Sequence, residues 1–558
     1  MNQTNTDQHQ ENTTGHETSD KADSADIPIH ISKYTEALID KWTESSHVSV
    51  SPNKISVSQT VSFAAFLYEK MRNAVEFREE HLIRRATVER IIKRRMILNE
   101  NGRDIAEPLI KELLWARYYE NNTIGVEKIS EVQTIIDKYF FLRNEISAGR
   151  GRGEQDNINQ FILEVMSCEI EECLSPNSKR EAFTNYVYQI IRPYISAENW
   201  SSETEKDTQI YIAVEKNFAH SDYPVIKYHL LKLIIPEITK ITWKTAEKVL
   251  PVFYDAYKQI EKDLLHPLAD RTRNIIKKQI PPFLILRDIF EQNTHHLKTI
   301  CTNEQNLKYK VDEACRKRYD ESKSKLKRAG IRSFIYILLT KVIFAILIEV
   351  PYDLYVIKAI SYIPIAINVI FPPLLMAIII FTVTIPGDDN TRRIFQLIRG
   401  IIDTDPDTLP VTKGNLIIGI KSKVRGFVFS TTFSLLYLFM YLVSFGSIIY
   451  VLTQLHFNIV SQGIFIFFVT LVTFFTFKVI QITQEYRVVD QEGFFSPLLD
   501  FFFLPIIRVG QWLSGEVLTR FNVLIFFFDF IIEMPFKAIV EVVDEWVHFV
   551  RLKKEEMM

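Results

Sequence analysis

The chain has 558 residues, too many for one small domain, and 66 Lys and Arg stand against 68 Asp and Glu. A net charge of −2 argues against a surface built for nucleic acid and against an acidic-tail protein, so no nucleic-acid partner is expected. The four cysteines, Cys168, Cys173, Cys301 and Cys315, lack CxxC or zinc-finger spacing, which disfavours a disulfide framework and favours a reducing, cytosolic setting.

Residues 1–28 are polar, carry no apolar core of a secretory signal, and are expected to form a disordered N-terminal tail. Residues 29–332 show helical periodicity with little glycine, which predicts an all-α cytosolic domain. Helices are expected over Ile31–Glu44, Ser58–Leu98, Asp104–Tyr119, Val126–Ile146, Ile158–Leu174, Lys179–Ile191, Thr204–Phe218, Tyr223–Ile235, Ile241–Leu265, Leu268–Gln279 and Pro282–Gln292. Ser45–Asn53 and the glycine-rich Ser147–Asn157 read as loops.

Few motifs in this half suggest chemistry. Arginines at 72, 78, 84, 85, 90, 94 and 95 crowd the second helix, but the glutamates among them suit a solvated, salt-bridged face better than a phosphate-binding one. Gly149–Gly153 (GRGRG) has neither a preceding strand nor the Lys-Ser/Thr of a phosphate loop. His295, His296 and Cys301 lack a second ligand pair at metal-binding spacing, and Ser51-Pro52-Asn53-Lys54 matches a Ser-x-x-Lys motif by spelling alone. No catalytic residue, metal site or cofactor is expected.

At Leu307–Val350 a charged, mostly basic segment turns apolar at Phe334. From there four membrane spans are expected within residues 333–482: Phe334–Val350, Tyr362–Ile385, Gly426–Tyr450 and Ile459–Ile482. Each approaches the roughly 20 residues that cross about 30 Å of hydrocarbon. Basic residues flank the first span on its N-terminal side and fill the expected cytosolic loop 386–425, while the other two connections are nearly free of them. This places both termini in the cytoplasm of a plasma or inner membrane. Lys323, Lys325, Lys327, Arg328 and Arg332 are candidate contacts for anionic lipid headgroups.

Polar groups within spans are costly and mark candidate sites: Lys341, Glu349, Asn368 and the pair Pro372-Pro373. Lys341 and Glu349 are eight positions apart, too far for an i, i+4 pair, so each is expected to need another partner. The proline pair suggests a kink. In the third span, Ser430, Thr431, Thr432, Ser434, Ser444, Gly446 and Ser447 read as close-packing small residues.

Residues 483–558 keep an apolar character but with polar residues gathered on one face, which predicts amphipathic interfacial helices, with Asp500, Asp529 and Glu533 on the polar side. These helices are expected to lie on lipid, or else to pack on the spans or on a second subunit. The leading expectation is a non-enzymatic membrane-anchored protein that binds or organises partners, in contact with the bilayer and with a protein partner or a second copy. A small-solute or ion transporter or channel is the alternative. An interfacial lipid-modifying enzyme using Asp500, Asp529 or Glu533 as acid/base groups is less favoured.

Overall fold

The computed structural model describes residues 28–44, 53–58, single positions between 62 and 69, 80–98, 102–196, 200, 202–358, 360, 362–408, 416–417, 427–488 and 501–513. The fold is all-α: among these residues no strand exceeds two positions, and the single parallel pairing joins Ile195 to Leu416 and Ser196 to Ile417. The expected tail falls outside the described residues apart from its last position, and most of Ser45–Asn53 and residues 71–79, with Arg72 and Arg78, fall outside them too.

The helical N-terminal region contains α1 (Lys33–Thr43), α2 (Glu80–Leu98), α3 (Ala106–Trp115), α4 (Glu127–Ser147), α5 (Arg152–Leu174), α6 (Ser178–Ile191), α7 (Glu203–Asn217) and α8 (Tyr223–Ile234). It continues with α9 (Leu250–Leu264), α10 (Ala269–Lys277), α11 (Pro281–Gln292) and α12 (Leu297–Thr302). Side chains able to accept from free backbone amides set several of the starts: Ser32 caps α1, Asn177 caps α6, Ser202 caps α7 and Asp222 caps α8.

Two boundaries differ from the sequence reading. Helix α5 begins at Arg152 instead of Ile158, because Gly149 takes a φ of +73° and Gly151 caps the helix in an extended conformation. The glycines therefore make a tight α4–α5 turn, not a linker. Helix α9 begins at Leu250, with Pro251 in its first turn, after a separate 3₁₀ turn over Ala246–Val249.

Two apolar cores fill this region. The first gathers Val88, Ile91 and Ile92 of α2 with Leu109 and Leu113 of α3, Tyr139 of α4, Phe161 and Val165 of α5, and Phe253 of α9. The second is built around Trp42, which meets Phe183 and Phe290 edge-on at 5.8 Å and donates its indole N–H to the Phe290 carbonyl at 3.0 Å.

A long helix, α13 (Glu304–Phe344), carries the chain from the second core toward the membrane. Its first turns bury Leu307, Val311, Ala314 and Cys315 in that core. Helical backbone then continues through π turns at Ala345–Glu349 and Asp353–Ile357, for 54 residues in all. At about 1.5 Å per residue the strut is roughly 80 Å long. Gly330 does not interrupt it: a Cβ there would lie 3.0 Å from Cδ1 of Ile380, so the glycine leaves room for a side chain of the second span.

Four helices are long and apolar enough to cross a membrane: the end of this strut, then Tyr362–Phe381, Thr431–Gln454 and Ile459–Gln481. The last three lie within α14 (Tyr362–Thr382), α16 (Phe427–Gln454) and α17 (Ile459–Gln481). Spans 1, 2 and 4 pack on one another, and span 3 touches span 4. Of the small residues of span 3 whose exposure is described, Ser444 is buried, and Thr431, Thr432, Ser434, Gly446 and Ser447 are exposed.

Between spans 2 and 3, α15 (Asp388–Asp403) opens with two aspartates that suit the positive end of its dipole. Its apolar face, Ile394, Ile398 and Ile402, is fully buried in the second core beside Trp42 and Phe290. The N-terminal residues reinforce the join, Ser32 donating its backbone N–H and Thr35 its hydroxyl to the Ile402 carbonyl at 3.0 and 3.1 Å. A helix from the connection between spans 2 and 3 thus completes the core of the region that precedes the spans.

A further helix, α18 (Phe501–Leu513), follows span 4. It lies against spans 3 and 4: Ser444 donates to the Phe502 carbonyl at 2.9 Å, and Ile506 is buried with Leu452, Phe465 and Val469. The remaining expected amphipathic stretch, with Asp529 and Glu533, and the position of Asp500 lie outside the described residues.

Candidate functional site

The structure draws three of the sequence candidates into one buried cluster. Lys341 donates to Oδ1 of Asn368 at 2.6 Å, and Asn368 donates in turn to Oε1 of Glu349 at 2.7 Å and to the Ser461 carbonyl at 3.3 Å. Lys341, Asn368 and Glu349 are 0%, 0% and 1% exposed. Lys341 Nζ also lies 3.6 Å from Glu349 Oε1 and 4.2 Å from the Phe468 ring centroid. Each charge thus has a further partner in Asn368, and the two also approach each other, which the eight-residue spacing did not anticipate. That spacing excludes contact only for a uniform α-helical phase, and the π turn at Ala345–Glu349 changes that phase between them.

The cluster continues beyond the residues that spacing singled out. Asp353, also buried, accepts from Asn458 at 2.9 Å, and Asn458 Oδ1 caps span 4 by accepting the Ser461 N–H at 2.8 Å. Asp353 and Asn458 were missed because both sit at span ends, where a polar residue looks like part of a connection. All these groups lie toward the end of the bundle farther from the N-terminal region.

Pro372 and Pro373 are buried inside α14, which runs through both. Neither has an N–H to give the carbonyls one turn back, those of Asn368 and Val369. The pair thus loosens the backbone at the residue that bridges the two charges.

The basic candidates Lys323, Lys325, Lys327, Arg328 and Arg332 are all exposed on α13. The exposed apolar surface of this helix begins at Ile331, with Phe334, Ile335 and Tyr336 following, so the five cations sit where the apolar band starts. They are not drawn into the buried cluster.

A second constellation, in the N-terminal region, was not anticipated. His81, Arg84 and Arg85 of α2, Glu171 and Glu172 of α5, Arg180 and Glu181 of α6, and His229 of α8 line a cleft of about 640 Å³ that includes its solvent-open mouth. Most of its charges are paired: Arg84 with Glu171 at 2.9 Å, Arg85 with Asp222 at 2.9 Å, and Lys232 with Glu172 at 2.9 Å. Burial and the neighbouring Arg180, Arg84 and Arg85 push His81 down to about 3, so its ring is neutral. Burial alone would raise Glu215, but His229 at 2.9 Å and the Ser221 hydroxyl at 2.6 Å hold it down at about 2. Burial likewise opposes a charged His229, and Glu215 outweighs it and raises the imidazole. Cys168 is pushed well up by burial, the opposite of what a thiolate nucleophile needs. Among the described residues no group of three His, Cys, Asp or Glu could hold a metal ion. Among the described residues that line the cleft, none is an activated nucleophile.

Comparisons with protein-family models, with curated proteins and with solved structures return no match.

Proposed function

We propose that the protein is a non-enzymatic integral membrane protein that mounts a helical binding region on the bilayer and organises partners there. What supports this reading is the way the region is fixed. It shares α13 with the first span, takes α15 into its second core, and meets the segment after span 4 through Tyr486, whose carbonyl accepts from Asn390 at 2.8 Å. Such a mounting suits presentation of a fixed surface, with the α2–α5–α6–α7–α8 cleft as the place where polar groups of a partner can enter.

The test is isolation of the full chain in mild detergent or nanodiscs, with partner stoichiometry read by mass photometry and mass spectrometry. A stoichiometric protein partner or a second copy is expected. A solitary chain whose proteoliposomes conduct or transport a solute would overturn the reading. The transporter or channel reading rests on one observation, the buried charge cluster of spans 1, 2 and 4. No described residue supports the lipid-modifying reading.

The same proposal places both termini on the cytoplasmic side of a plasma or inner membrane, with the exposed cations of α13 against anionic headgroups. A cysteine at Gly149, in a chain with Cys173 replaced by Ser, is expected to react only when the inner face is accessible. Labelling from outside alone would reverse the orientation.

A further inference from the structure

A second, smaller pocket lies where spans 2 and 4 end. It is lined by Ile385, Pro386, Asp388 and Asp389, from the chain that leads out of span 2 into α15, and by Arg487, from the segment after span 4. Its volume is about 360 Å³, including a solvent-open mouth. Ile385 follows four residues after Phe381, the end of the apolar stretch of span 2, and Arg487 six after Gln481, the end of that of span 4. The headgroup layer extends roughly 5–7 Å past the hydrocarbon on each side of a bilayer, so the pocket stands at headgroup depth.

Its opposite charges do not satisfy one another. Arg487 donates through Nη2 to the Thr384 hydroxyl at 2.9 Å and to the Thr384 carbonyl at 3.3 Å, and among the described residues no ion pair joins it to Asp388 or Asp389. A guanidinium carries five N–H donors, so Thr384 steadies the group and leaves most of them for another acceptor. Asp389 meets Arg392 at 3.7 Å, a loose pair between side chains that are 82% and 76% exposed. The dipole of α15 explains a preference for carboxylates in this turn, but not a guanidinium in the same pocket that stays apart from them.

We propose that this pocket binds a phospholipid headgroup carrying both a phosphate and a primary ammonium. The phosphate accepts from Arg487, and the ammonium donates to Asp388 and Asp389. Arginine matches phosphate oxygens two at a time, and a primary ammonium has N–H donors for carboxylates. A trimethylated ammonium has no such donor, and a glycerol headgroup brings no cation. The pocket therefore separates ethanolamine lipids from choline and glycerol lipids, whereas the exposed cations of α13 attract any anionic headgroup. This inference does not depend on the organising role proposed above.

The test is native mass spectrometry of the full chain, delipidated in detergent and titrated with dioleoyl phosphatidylethanolamine, phosphatidylcholine or phosphatidylglycerol. The ethanolamine lipid is expected to bind one per chain, at least roughly tenfold tighter than either of the others. Arg487→Gln is expected to weaken its binding by a similar factor. Asp388→Asn with Asp389→Asn is expected to remove the preference over the choline lipid while leaving choline-lipid binding unchanged, which also reports that the variant is folded. Soluble phosphoethanolamine, at the concentration of the lipid, is expected not to displace it. Equal affinity of the wild-type chain for the three lipids would overturn the proposal whether or not the variants fold. A preference that persists unchanged in both variants would do the same, and displacement by soluble phosphoethanolamine would assign the pocket to a solute instead of a lipid.

Discussion

Replacing Ile398 by alanine probes how the N-terminal region is built onto the spans. Ile398 is 0% exposed and packs in the core that surrounds Trp42, although it belongs to the segment between spans 2 and 3. Truncating a buried isoleucine to alanine costs about 2–5 kcal/mol, from lost transfer energy and the cavity left behind. Even the lower bound multiplies the open population about thirtyfold, and domain stabilities are only about 5–15 kcal/mol. Hydrogen exchange read by mass spectrometry over Lys33–Thr43 and Pro281–Gln292 follows this core directly, since both helices contribute to it. Ile398→Ala is expected to lower their protection by the stated amount. Arg393→Ala, on the exposed face of the same helix, is expected to stay within about 0.5 kcal/mol. Protection of both helices within about 0.5 kcal/mol of wild type in Ile398→Ala would refute the insertion of α15 into that core.

Three further outcomes follow from the same physics. Lys341→Met leaves Glu349 without its cation and is expected to destabilise the detergent-purified chain by about 3–5 kcal/mol, whereas Lys341→Met with Glu349→Gln recovers most of the loss; additive losses in a denaturant titration would contradict the pairing. In the cleft, His229 has a raised pKa, so its contribution is fully present below the unfolded value of about 6.5 and is lost as pH rises through the folded one. Glu215 contributes above its unfolded value of about 4.5 and loses that contribution as pH falls toward about 2. The pair therefore stabilises most between these unfolded values, and thermal unfolding of His229→Gln should lack the decline above about pH 6.5. At Gly510 a Cβ would fall within 2.7 Å of Cβ of Phe474 and closer still to the Thr470 carbonyl, so Gly510→Val is expected to lift α18 from span 4. A disulfide engineered between the two helices would then form more slowly, and an unchanged rate would remove that helix from the bundle.

The apolar runs and helical period of the chain made the four spans and the helical N-terminal region legible, because both follow from side-chain type at fixed spacing. Lys341, Glu349 and Asn368 stood out for the same reason, being polar where polarity is costly. Their meeting did not, since a π turn leaves no mark in hydrophobic periodicity. Asp353 and Asn458 looked like the ends of spans and so carried no signal of their own. The role of α15 was hidden differently: Ile394, Ile398 and Ile402 announce an amphipathic helix, but nothing local says that the surface they cover lies more than a hundred residues earlier in the chain. The cleft around His229 draws on five helices, α2, α5, α6, α7 and α8, and only their packing assembles it.

The unbroken backbone from Glu304 to Ile357 makes tilt a quantity that leaves the membrane. A span shorter or longer than the local hydrocarbon thickness adjusts its inclination. Here the part before the apolar boundary, Glu304–Gly330, extends about 40 Å at ~1.5 Å per residue. A change of roughly 10° inside the bilayer would carry its far end about 7 Å sideways, with Leu307 and the core around it following. Bilayer thickness, a property of the lipid alone, would then set where the cleft stands above the surface.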